Sequence, residues 1–319
     1  MRNVFILVFK RLIASLITIF LISGIIFIGV EMLPGDAAQT VLGQSATPET
    51  VAAFRKEMKL NLPPHIRYYE WLKAFVHGDF GDSLANGRPV SELIDWRLKN
   101  TLFLALTTTV IAVPLAIFLG MMAAFYQDTF FDKLISAITL FFISFPDFFV
   151  AYILIALFSV NLHLFPSLAM IDNSMGFFTK LYAIILPSLT LTCVVTAHMM
   201  RQTRATIVNV MREAYIEMAE IKGIRRLRII VHHAFPNSLS PVINVIAVDL
   251  AYLVVGVVIV EVVFDYPGLG QLLVDSVAKR DLPVVQASGL IFAIAYIFLN
   301  LAADILSMLS NPRLRQSQI

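Results

Sequence analysis

Charge is scarce in this sequence. Of its 319 residues 14% are charged and 58% are hydrophobic, and the mean hydropathy is +0.81, values that exclude a water-soluble globular domain. The single cysteine, Cys193, excludes an intrachain disulfide; set in an apolar run, it reads as a small packing residue. Catalytic patterns are missing as well. No His-Glu-x-x-His, Gly-x-Ser-x-Gly or Cys-x-x-Cys occurs, so neither a metal hydrolase nor a nucleophilic or redox centre is expected, and no metal site. His232 and His233 are adjacent, which on a helix turns them about 100° apart and away from a common ion. His198 has no carboxylate at helical spacing, and all three histidines read as interfacial or packed. No Gly-x-x-x-x-Gly-Lys-[Ser/Thr] loop is present to cradle a phosphate. If ATP drives this protein, another chain hydrolyses it. The net charge of +2, from 24 basic and 22 acidic residues, is too balanced for a nucleic-acid binder.

What the sequence has in abundance is long apolar runs. They cover about 12–30, 102–126, 134–162, 181–200, 242–264 and 284–309, each long enough for a membrane crossing of about 20 residues. An all-α integral membrane protein with six transmembrane helices is therefore expected. The first run is too long for the apolar region of a cleaved leader, despite Arg2, Lys10 and Arg11 ahead of it, and reads as an uncleaved anchor. Orientation follows from Lys and Arg in short loops. With the N-terminus inside, the cytoplasmic segments hold thirteen basic residues and the short outer loops only Lys180, Lys279 and Arg280. Both termini are thus expected in the cytoplasm.

The domain plan that results has an N-tail and first helix over 1–31, an external segment over 32–101, a five-helix core over 102–309 with a cytoplasmic loop at 201–241, and a tail over 310–319. The external segment balances eight basic against eight acidic residues. Thr47 caps a predicted helix that Pro48 opens. A second helix is predicted after Pro63-Pro64, with Ile66, Tyr69, Leu72 and Phe75 or Val76 at helical spacing. Pro89 opens the helix into the second span. This segment reads either as a cap on the membrane surface or as a docking or gating element at the outer mouth.

The loop at 201–241 alternates charge with apolar residues and predicts an ordered helical hairpin. Gly223 ends its first helix in a left-handed conformation, with Lys222 at the negative end of the dipole. Pro236 is expected to break the chain before Pro241 begins the fifth span.

Glu217-Met218-Ala219, three residues, Gly223, then twelve residues to Pro236 resembles the EAA loop of ABC importer permeases. Met218, His233 and Phe235 depart from that pattern; the Glu, the third-position Ala, the Gly and the Pro are in register. Leu33-Pro34-Gly35-Asp36, the run Gly78 to Leu84, Gly87-Arg88-Pro89-Val90, Pro267-Gly268-Leu269-Gly270, Arg280 to Gln286 and Asn311 to Arg315 together resemble the B-type permease subunit of dipeptide, oligopeptide and nickel importers, over nearly the whole chain. The resemblance implies a type I importer permease of the bacterial inner membrane, with a homologous C-type permease, two ATPase subunits and a periplasmic substrate-binding protein as protein partners, beside membrane lipid. It also implies a coupling helix around 215–223 (Tyr215, Glu217, Met218, Ala219, Gly223, with Pro236 beyond) that docks on an ATPase, and a peptide, nickel complex or related small solute as cargo. ATP and magnesium would belong to the ATPase subunits, with no cofactor on this chain.

Within or at the ends of the spans stand only Glu31, Asp147, Asp249, Glu261 and Asp304, all acidic. A charge at the bilayer centre costs about 2.5–3.5 kcal/mol on insertion scales, so such residues turn to a bundle interior or a cavity. Asp249, midway along the fifth span, is the first pore candidate, with a structural hydrogen bond to a neighbouring helix as the other reading. Glu261 lies about three and a third turns on and either anchors the turn that contains Pro267, Gly268 and Gly270 or contacts substrate. Asp147, after Pro146, and Asp304 are read as structural. The competing class, a secondary transporter or channel without an ATPase, commonly carries an internal repeat, and none is evident.

Overall fold

The computed structural model describes residues 2–32, 46–57, 61–172 and 174–310. The motifs at 33–36 and 311–315 lie outside the described residues. Among these residues the helices are α1 (Arg2–Glu31), α2 (Pro48–Glu57), α3 (Pro64–Val76), α4 (Val90–Phe125), α5 (Phe130–Ser144), α6 (Asp147–Leu154), α7 (Phe177–Ala183), α8 (Ile185–Val210), α9 (Ala214–Ile221), α10 (Arg226–Ile229), α11 (Phe235–Val263), α12 (Leu269–Lys279) and α13 (Leu282–Ser310).

Four helices are unbroken and long enough to cross a membrane, and two bent pairs bring the number to six when each pair counts as one span. One pair, Phe130–Ser144 with Asp147–Asn161, turns through 109°, and the other, Phe177–Ala183 with Ile185–Val210, through 60°. The third run is therefore two helices rather than one kinked rod. Pro146 explains the break: it has no N–H to donate, and it forces Phe145 out of the helical region to φ −105°, ψ 142°. Beyond α6 the chain continues as a π-wound stretch, Ile155–Asn161.

Two compact units divide the chain: a core unit of 1–13, 103–266 and 296–319, and a second unit of 14–102 and 267–295. In the core unit, α8 packs against α5, α6 and above all α11. The helices come close because their facing residues are small. Ala112, Ala116 and Ala123 of α4 are fully buried, and a Cβ on Gly120 would stand 2.9 Å from the Thr203 side chain, the close approach that small residues permit between membrane helices. Arg11 pairs with Asp304 at 2.8 Å, which gives Asp304 a structural partner. A buried bidentate pair, Arg204 Nε and Nη2 on Asp132 at 2.7 and 2.6 Å, ties α8 to the start of α5.

In the second unit, the α1 residues Phe20 and Phe27 meet Tyr68 of α3, and a run of rings continues through Trp71 and Phe75 to Phe80. The apolar set predicted on α3 is met in part, since Phe75 belongs to it and is packed. Ile66, Tyr69 and Val76 are exposed, while Tyr68, Trp71 and Phe75 face the apolar partners. Arg67 pairs with Glu31. Thr47 Oγ1 accepts from the Thr50 N–H at 3.2 Å, as a cap should.

The loop between α3 and α4 is held from a distance in sequence. The Asp281 carboxylate, 3% exposed, accepts from the Ser83 hydroxyl and from the Leu84 and Ala85 N–H groups at 3.0 and 3.4 Å. Nearby, Asn100 donates to the Pro267 carbonyl at 2.8 Å, and the Leu269 N–H donates to Thr101 Oγ1 at 2.8 Å. Gly268 caps α12 in extended backbone, and Gly270 is buried in its first turn. Pro267, Gly268 and Gly270 thus form a turn clasped by α4.

Candidate functional site

Two features of the core unit carry the functional reading: a short helix with two unlike faces, and a cleft with acidic residues in its wall.

Helix α9 is eight residues long and needs support beyond its own hydrogen bonds. Ile216 and Ala219 supply it. Both are buried, in a cluster with Ala124, Ile207, Val208, Ile229, Ile230 and Ala234. A small residue is needed at 219 because its Cβ already lies in this core. The opposite face carries Tyr215, Met218 and Ile221, exposed by 44%, 54% and 73%. Its end is a Schellman motif: Gly223 N–H donates to Glu220 O at 2.8 Å, and Ile224 N–H donates to Ala219 O at 3.2 Å. Gly223 has φ +74°, and Ile224 packs back onto the cluster under α9.

The departures from the EAA pattern now have places. Met218 is on the exposed face, His233 is half-buried, and Phe235 packs against the cluster. Pro236 does not break the chain. It stands exposed in the first turn of α11, where a missing N–H costs little, and Pro241 lies inside the same helix. The wider π winding of Ile230–Ala234 precedes it and lets the helical path continue.

The cleft, of about 470 Å³, lies between α8 and α11, with Asp147 at the start of α6 on its wall. Helix α11 presents Asp249, Tyr252 and Gly256; α8 presents His198 and Gln202 between aliphatic residues. Asp249 is only 5% exposed, and its Oδ2 has no hydrogen-bond partner among the described residues. The Asp147 carboxylate rests over Gly256, with Oδ2 3.1 Å from where a Cβ would stand. Asp147 and His198 are close enough to interact electrostatically. Glu261 is fully buried farther along α11 and is not in this wall. Its carbonyl accepts from the Tyr266 N–H at 2.8 Å, at the start of the turn the sequence associated with it.

The structure thus sets Asp147, His198 and Asp249 in the wall of one cleft, with Asp147 over Gly256, about two helical turns along α11 from Asp249, and leaves Glu261 outside it. Periodicity within a single helix could not have found this group, because its three members sit on three helices. The available signal was Pro146, since a break there places the following carboxylate at a helix start.

Comparison with known proteins matches two family models. One, described as binding-protein-dependent transport system inner membrane component, covers residues 116–316. The other, the N-terminal part of such membrane components, covers residues 4–105. Among similar proteins, the glutathione transport system permease protein GsiC of Escherichia coli (strain K12) is 37% identical over 97% of this chain and 98% of its own length. Its namesake in Salmonella typhimurium (strain LT2) is 35% identical over the same shares.

Proposed function

The chain belongs to the family of binding-protein-dependent transport system inner membrane components, and from that membership we propose how its parts divide the work of a multi-pass permease subunit of an ABC importer. A binding protein and an ATPase are partners of that class of transporter. Helix α9 is the coupling helix: its exposed face of Tyr215, Met218 and Ile221 docks in the ATPase, with Glu217 beside them, and Ala219 and Gly223 hold the helix on the membrane core. This chain contributes half of the pathway, and a homologous C-type permease contributes the other half. Two ATPase subunits bind ATP and magnesium, and this chain holds no cofactor. Residues 32–101 stand on the outer side, 201–241 and both termini on the cytoplasmic side. The cargo is a short peptide or a related small solute, a reading supported by the relatives' printed glutathione transport function and by the acidic cleft at Asp249.

The observation that carries the coupling assignment is the division of one short helix into a buried face and an exposed apolar face. An exposed cluster of large apolar side chains next to the membrane calls for a protein partner. Met218→Glu is expected to abolish co-purification of the ATPase subunits while the permease keeps its melting temperature, because Met218 is 54% exposed. Ile216→Ala, at a fully buried position, is expected to lower that temperature by destabilising the core by about 2–5 kcal/mol. Wild-type co-purification by the Met218→Glu variant would refute the docking face.

A further inference from the structure

We propose that Asp249, seconded by Asp147, forms a cation subsite that takes the protonated amino group of a peptide-like solute. The inference rests on reading this chain as an importer permease with the α8–α11 cleft on its pathway. A buried carboxylate oxygen without a donor is unfavourable, and membrane proteins keep such groups where a ligand, a partner or water meets them. Asp249 is in that condition: 5% exposed, unpartnered at Oδ2 among the described residues, and in the wall of an open cleft. No Lys or Arg lines the cleft among the described residues. Arg204, on the same helix as His198, is held by Asp132, and Arg201 stands exposed outside the cleft wall.

A second carboxylate lines the same cleft about two helical turns, or roughly 10 Å, along α11 from Asp249, and adds to the negative field there. The bend at Pro146 sets Asp147 against α11, and Gly256 offers no side chain to hold it off. The remaining wall is chiefly aliphatic, from Leu191, Val194 and Val195 on one side and Val248 and Leu253 on the other. Such a wall suits the side chains of a peptide, and it strengthens attraction between a carboxylate and an ammonium by keeping water away. A metal ion fits less well, because among the described residues no three His, Cys, Asp or Glu side chains converge as ligands. An ammonium carries three donors and no acceptor, and the free Oδ2 of Asp249 can accept from one of them.

The test uses the assembled wild-type transporter in nanodiscs. Dicyclohexylcarbodiimide, which reacts with carboxyls in apolar surroundings, is applied, and the adduct at Asp249 is followed by mass spectrometry. Alanyl-alaninamide and its N-acetyl form serve as probes with the same side chains, and only the first has a cation. At about four times its dissociation constant the cationic probe leaves about one site in five free, so labelling of Asp249 is expected to slow about fivefold. The acetylated probe is expected to leave it unchanged, and Asp147→Asn to weaken the protection. Equal labelling with both probes up to tens of millimolar, or no labelling of Asp249 at all, would overturn the subsite, and undiminished protection in Asp147→Asn would overturn the supporting part given to Asp147. Failure of the underlying permease reading looks different, since the ATPase subunits would then be missing from the purified complex before any probe is added.

Discussion

At the scale of single residues, two glycines show two different reasons for lacking a side chain. Gly120 is needed for room, with Thr203 atoms 2.9 Å from its missing Cβ. Gly223 has open space on all sides, and what constrains it is φ +74°. The demand at 223 is therefore conformational. Placing an ordinary L-residue in the left-handed region costs roughly 1–2 kcal/mol, and Asn is the usual second choice at a helix C′ position. Gly223→Ala is accordingly expected to lower the melting temperature of the purified complex, and Gly223→Asn to lower it less. If Asn proves the worse of the two, the left-handed requirement is not what preserves glycine there. Any further loss of transport in these variants arises against a docked ATPase, because the chain itself leaves the space empty.

At the scale of elements, the arrangement depends on polar clamps between segments far apart in sequence. One is the ion pair of Arg204 and Asp132, with side chains 26% and 4% exposed, in which Asp132 also accepts from the Asp128 N–H at 3.0 Å. One carboxylate thus secures the turn before α5 and joins α5 to α8. Removing the arginine leaves Asp132 buried without its partner, an effect of about 3–5 kcal/mol for buried pairs. Arg204→Met should therefore destabilise the protein more than Arg204→Met combined with Asp132→Leu, as read from thermal unfolding of all members of a double-mutant cycle. Simple additivity of the two changes would mean that the pair contributes no coupling. Much of the helical plan was legible in the chain: Thr47-Pro48, Pro89 and Gly223 mark helix ends in the structure where their chemistry predicts them, since those signals act within one turn. The clamps were not legible. Nothing local in Ser83 or Asp281 announces that they meet across 198 positions, and nothing in Asp147 announces Gly256. Local rules misled at Pro236 and in part on α3. The proline's missing N–H did no harm in a first turn, and the apolar residues of α3 offered two rival stripes until Phe20 and Phe27 selected the one through Tyr68.

At the scale of the whole molecule, the question left to chemistry is which loops face the cytoplasm. The long apolar helices display large side chains outward, such as Leu16, Leu21 and Ile25 on α1 and Leu106 and Val110 on α4, each at least half exposed, as helices in contact with lipid do. Lipid contact sets depth and leaves direction open, and direction follows the basic residues. Their excess between α8 and α11 is the ground for expecting α9 in the cytoplasm and the loop clamped by Asp281 outside. Having a single, partly buried cysteine makes this simple to measure. In a Cys193→Ser background, Ala85→Cys places a thiol on the exposed tip of the clamped loop and Met218→Cys places one on the exposed face of α9. A membrane-impermeant maleimide added to intact spheroplasts is expected to label position 85 at once, and position 218 only after the membrane is opened. The reverse pattern would turn the molecule over and remove α9 from the reach of any cytoplasmic ATPase. Labelling of both from outside would deny that an odd number of crossings separates them. Between Ala85 and Met218 run α4, the bent pair of α5 and α6, and the bent pair of α7 and α8, so the expected pattern requires that the two bent pairs behave alike and excludes a fold in which only one of them turns back.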